Sequence, residues 1–206
     1  MIEKPRIDEA SRNVNRYIQD GLLKVKNEEV KKFVDFFMSN ADSSLETASL
    51  LFQVSDDSRA KDELKVRKDF ESYLWVIVSS YYSMFYAATS LLASEGIKVA
   101  GEIVHKVTAD ALIHFFISNK RLVKLIAQYE EAKDVTLELI GREELLKRID
   151  TKANELILAF ERERRKRSRF QYDVGVTVKR GYAETSLNRA RVFVFEIRKI
   201  LEVTRK

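Results

Sequence analysis

Residues 161–169 read Glu-Arg-Glu-Arg-Arg-Lys-Arg-Ser-Arg, six cations and two anions in nine positions. Their net +4 stands against +5 for all 206 residues, so the rest of the chain is close to neutral. Charge gathered in one place is the electrostatic footprint of a polyanion site. It is also what a solvated helix end carries, where the macrodipole favours cations. Spacing bears on the choice. A helix through this segment has an inward stripe of Ile149, Ala153, Leu156 and Phe160, continued by Arg164 and Arg167. A core-facing guanidinium is costly unless paired or used. A cleft open to an anionic ligand accounts for two of them, and guanidinium forks suit phosphate. Phe170-Gln171-Tyr172-Asp173 follows, with rings able to stack on bases and a hydroxyl and a carboxylate for chemistry. The candidate RNA or nucleotide ligands are Arg164, Arg165, Arg167, Arg169, Tyr172 and Asp173. Arg167 and Tyr172 are the candidates for catalysis.

Other chemistries lack their residues. There is no phosphate-cradling glycine loop and no nucleophile elbow. The absence of cysteine removes thiolate nucleophiles and Cys-based zinc sites, and suggests a reducing, cytoplasmic setting. The two histidines, His105 and His114, have no metal-ligand spacing, so neither a metal nor a cofactor is expected. His105 reads as a helix-start hydrogen-bonder. His114, followed by Phe115-Phe116, reads as half-buried structure. Asp69 and Glu71 are candidate ion-pair partners for Arg164 or Arg167. No apolar run opens the chain, so no leader is expected. A charged fraction of 33% with only four Gln leans towards a heat-adapted protein.

The elements that must position these residues are helices. Six glycines and one proline compare with roughly 14 and about 10 at average usage. Such scarcity predicts long helices joined by few turns. Apolar periodicity and the glycines divide the chain into helices over about 7–18, 27–55, 59 or 61–95, 102–118, 123–139, 143–169 and 183 onwards. A kink is allowed near Ser39-Asn40. The fold class expected is all-α, an up-and-down helical bundle over 27–206 with an N-terminal helical arm over 1–26.

Residues 72–94 carry no formal charge and are long enough to cross a bilayer. Eleven of the 23 are Ser, Thr or Tyr, so they read as a central buried helix of a soluble bundle, with no membrane partner. One of its faces is a seam of small residues that includes Ser79, Ser83, Ala87 and Ser90. Small residues let another backbone approach closely. That backbone belongs either to the same subunit or to a homodimer partner across a symmetric seam.

The run Ser79-Ser80-Tyr81-Tyr82-Ser83-Met84-Phe85-Tyr86-Ala87-Ala88, then Leu91-Leu92 and Gly96-Ile97, resembles the tyrosine-rich central helix of HEPN domains. Ser44 to Leu51 resembles the helix before it. His105 sits where a small archaeal and bacterial branch often starts its next helix with His. Arg167 to Tyr172 resembles the "R…DY" segment, and Ala183 to Phe193 the closing helix. The resemblance covers about 40–118 and 155–205 and makes 119–150 an insertion. It implies a helical bundle, often homodimeric. It also implies metal-independent endoribonuclease activity through an R-x4–6-H motif, in some members as a toxin paired with a nucleotidyltransferase antitoxin. Here Tyr172 stands where the motif has His. An ordinary phenol titrates near 10, far from the neutral range in which His moves protons. The expectation is therefore an RNA- or nucleotide-binding protein with little or no catalysis. The alternatives are an active RNase toxin, or an interaction subunit that pairs with a nucleotidyltransferase.

Overall fold

A computed structural model describes residues 2–118, 120–125, 142–172 and 178–204, apart from the side chains of 142–146, 172, 203 and 204. Helix α1 spans Lys4–Gln19 and α2 spans Val34–Asp56, entered by a 3-10 turn over Glu28–Phe33. A short α3, Ser58–Glu63, precedes α4, Tyr73–Ser94. Helix α5, Val104–Leu112, widens into a π-helical stretch over Ile113–Ser118. Two long helices complete the bundle, α6 over Arg142–Tyr172 and α7 over Arg180–Thr204. The expected all-α bundle is what the chain forms. Most of the expected helix over 123–139, and the breaks at Gly141 and Gly175, lie outside the described residues.

Helix α4 is the axis. Val76, Ile77, Tyr81, Met84, Ala87, Ala88, Leu91 and Leu92 are all fully buried in it. It is long and apolar enough to cross a membrane, and 72% of its most apolar window is buried inside the protein. Helix α2 runs antiparallel along its small-residue face. Ser90 Oγ donates to the Val34 carbonyl at 2.8 Å, and at the other end the Ser72 amide donates to Ser55 Oγ at 2.8 Å. Ser83, Ala87 and Ser90 are 0% exposed within the single chain. The seam put forward for a homodimer is thus filled by α2 of the same subunit. Only Ser79, at the edge of that face, stays half-buried.

The helix expected over 61–95 is two helices. Helix α3 ends in a Schellman motif, in which the Val66 amide reaches the Lys61 carbonyl and the Lys65 amide reaches that of Asp62. Lys65 takes the left-handed position, φ 54°, that glycine ordinarily fills, so the sequence carries no flag for the break. Gly96 closes α4 by the same motif at φ 69°. Helix α2 runs unbroken through Ser39-Asn40.

The segment 1–26, expected as an arm, is seated in the main core from Ile2 onwards. Ile2, Ala10, Tyr17 and Leu23 join the same apolar cluster as Tyr81, Leu112 and Phe160. Leu23–Lys24 pairs antiparallel with Lys98–Val99, Leu23 opposite Val99. Arg6 is the polar anchor. Its Nη2 donates to Asp110 Oδ1 at 2.7 Å and to Glu161 Oε1 at 2.7 Å, and its Nε donates to Glu161 at 3.0 Å. Asp110 also accepts from Asn13 and Tyr17, each at 3.0 Å. Burial, and then the Asp110 carboxylate, push the Tyr17 phenol up to about 12, so it stays a donor.

Candidate nucleic-acid interface

The stripe on α6 runs as its spacing predicts. Ile149, Ala153, Leu156 and Phe160 are at most 5% exposed, and Arg164 and Arg167 continue them as half-buried side chains. Both arginines lean towards α4 and the start of α5. Arg167 Nη2 donates to Tyr82 Oη at 3.2 Å. Its guanidinium carbon lies 5.7 Å from the Tyr81 ring centre and 5.4 Å from that of Tyr82, within cation–π reach. Arg164 Nε is buried and has no hydrogen-bond partner among the described residues.

The structure brings a histidine to the same place. His105 Nδ1 is 3.0 Å from Tyr81 Oη, and its ring packs edge-on against Phe85, with centroids 4.5 Å apart. Burial, then Arg167 and Arg164, push His105 down to about 4, so its imidazole is neutral at physiological pH. Burial pushes the Tyr81 phenol upward, so it too is neutral and can donate or accept. Sequence reasoning missed this meeting because His105 stands far ahead of Arg167 in the chain and belongs to no shared motif. Its place soon after Tyr81, across a glycine-marked turn, and the resemblance that starts a helix with it were the signals available.

The basic run divides by face. Arg165 and Arg169 are exposed and lie well round the helix from Arg164 and Arg167, so they are not part of the same cluster. Arg169 covers the Phe170 ring at 5.9 Å. Lys166 donates to Ser186 Oγ at 3.0 Å. The two glutamates of the run are core groups: Glu161 holds Arg6, while Glu163 accepts from Ser186 and Arg189. The run's carboxylates therefore hold Arg6 and Arg189 from elsewhere in the chain, and within the run Glu163 pairs with Lys166 at 3.0 Å. Asp69 lies 3.6 Å from Arg67 on the surface, and among the described residues no hydrogen bond ties it to Arg164 or Arg167. Tyr172 ends α6, but its side chain, like Asp173, lies outside the described residues. His114 is half-buried and meets Ser11 Oγ at 3.0 Å. Among the described residues no group of three His, Asp or Glu is placed to hold a metal.

A groove of about 780 Å³ opens between α6 and α7 on another face, floored by Leu156, Ala159 and Phe193. Of its rim charges, Lys152 pairs with Glu196 and Arg189 with Glu163, each at 2.7 Å. Its floor is apolar. The convergence of Arg164, Arg167, Tyr82 and His105 is the stronger site. No protein-family model matches the chain, and neither does any curated protein or solved structure.

Proposed function

We infer that this chain is a HEPN-like helical protein that binds RNA or a nucleotide through the cluster of Arg164 and Arg167. One observation carries the reading. Two arginines extend the core-facing stripe of α6 and meet a tyrosine hydroxyl and a neutral histidine at one half-buried spot. A phosphate there gains two guanidinium forks and the Tyr82 hydroxyl. The test is binding of a labelled RNA at rising salt. Each phosphate contact adds to the slope of affinity against salt. Arg167→Ala is expected to weaken binding and flatten that slope by about one contact. Binding that survives the change intact, or none at low salt, defeats the reading.

His105 supports a second reading, metal-independent RNA cleavage. With Nδ1–H donating to Tyr81 Oη, Nε2 is left to take the 2′-hydroxyl proton. The 2′-oxygen then attacks phosphorus, and the 5′-oxygen leaves with a proton from water. A phosphate between the arginines offsets the charges that hold His105 down, making the ring a better base as substrate binds. Cleavage in EDTA that is lost in His105→Ala, with binding kept, is the expected result. Uncut RNA in the wild type, or cleavage equal in both, sinks it.

A further inference from the structure

One stripe of α4 is not taken up by the core, and it carries aromatic rings in a row. Trp75, Tyr82 and Tyr86 follow at intervals of seven and four, which sets them on one face with Ser79 between. Trp75, the chain's single tryptophan, is 57% exposed on a helix otherwise sunk in the core. Tyr82 and Tyr86 are half-buried, with ring centres 6.2 Å apart. Packing accounts for the tyrosines in part and for Trp75 hardly at all.

Cations flank the stripe. Arg167 sits against Tyr82 at its middle. The loop that leads into α4 exposes Lys65 and Lys68 at the Trp75 end, beside the Arg67–Asp69 pair, and Lys106 is exposed beside His105. We propose that this face binds single-stranded RNA lengthwise, with bases stacked on Trp75, Tyr82 and Tyr86 and phosphates on Arg164, Arg167 and the 65–68 loop. The proposal rests on the reading of the arginine cluster above and specifies its ligand. A duplex hides its base faces, whereas a single strand offers them to aromatic rings. From Trp75 to Tyr86 is about 16.5 Å along the helix axis. That length matches about five nucleotides at roughly 3.4 Å each. A mononucleotide held at Arg167 reaches Tyr82 but not Trp75, which is about 10.5 Å further along. A second copy of the chain suits the stripe poorly, because a symmetric contact would bring the arginines of both copies together.

Trp75 is its own reporter. An octauridylate is titrated into the protein at low salt while tryptophan emission is read, with labelled-strand anisotropy as an independent binding signal. The expected result is quenching that follows the anisotropy curve, with uridine monophosphate binding but not quenching. Trp75→Ala, an exposed position checked by circular dichroism, should weaken octauridylate binding at least about five-fold. It should leave competition by the monophosphate unchanged. If binding depends on Arg167 but ignores Trp75, the lengthwise stacking is wrong and the arginine site stands. If octauridylate and monophosphate both fail to bind, both fall. A blunt duplex that competes as well as the single strand overturns the stacking. So does a homodimer that Trp75→Ala dissociates.

Discussion

Arg6→Ala tests how α1 is held. The substitution keeps a good helix former in α1 and removes the cation between two buried carboxylates. The Asp110 side chain is 0% exposed and that of Glu161 6%, while Arg6 itself is 18% exposed. Removing one partner of a buried ion pair costs about 3–5 kcal/mol, because the remaining charge is left unpaired. Asp110 keeps its bonds from Asn13 and Tyr17, whereas Glu161 loses both of its bonds from Arg6. The lower end of the range, about 3 kcal/mol, is therefore expected. For a chain of this size that lowers Tm by roughly 6–12 °C. The assay is denaturant unfolding followed by circular dichroism, repeated with Glu161→Gln and with the double variant. With the glutamate neutralised, Arg6→Ala should cost at least about 1 kcal/mol less than it does alone. A loss below about 1 kcal/mol for Arg6→Ala, or strict additivity in the cycle, would refute the buried network. The segment 1–26 would then be the loosely attached arm that its sequence suggested.

Three further outcomes are expected. His105, held down to about 4, binds a proton in the unfolded chain from about pH 6.5 but in the folded protein only near 4, so its contribution to stability is full above 6.5 and is lost as pH falls towards 4. NMR titration of the ring protons, assigned with His105→Ala, should show no midpoint between pH 5.5 and 8; a midpoint near 6.5 would contradict the packed ring. Ala87→Leu forces extra volume between α4 and α2 and should destabilise by about 1–3 kcal/mol in thermal unfolding; unchanged stability with an altered oligomeric state would return the seam to a homodimer. Gly101→Ala should cost more than about 1 kcal/mol in urea unfolding, because φ is +87° and the new Cβ would lie 2.5 Å from Leu22 Cδ2; a neutral result would mean that the turn relaxes freely.

Much of the architecture was legible where local chemistry and packing agree. Gly21 and Gly96 end helices in the left-handed conformation, and the Ile149-to-Arg167 stripe faces inward along its predicted line. The division of 61–95 was hidden because Lys65 occupies a glycine's conformation. The seam was legible as a close approach, but not as to whose backbone approaches. That depends on α2, whose own pattern is compatible with several partners. At the site, Arg164 and Arg167 were readable as anomalies on an apolar stripe. Their separation from Arg165 and Arg169 follows from helical period alone. His105 was not readable, because its role arises only when α5 folds back against α4. Glu161 and Glu163 were counted as part of a surface charge run, and burial makes them core anchors. Net charge does not reveal which members of a run face inward.

The Arg6 network also sets an order of events during synthesis. Arg6 closes on Asp110 and Glu161 across 104 and 155 residues of chain. At translation rates of about 5–20 residues per second, the first helix waits roughly 8–30 seconds for the glutamate that receives it. Its apolar side, Ala10, Val14 and Tyr17, belongs to a helix that packs chiefly on α5 and the π-helical stretch, which are complete by residue 118, so the apolar seat is available before the glutamate. The nascent chain must shield that side until α5 has left the ribosome, and the Arg6–Glu161 pair locks it only when α6 follows.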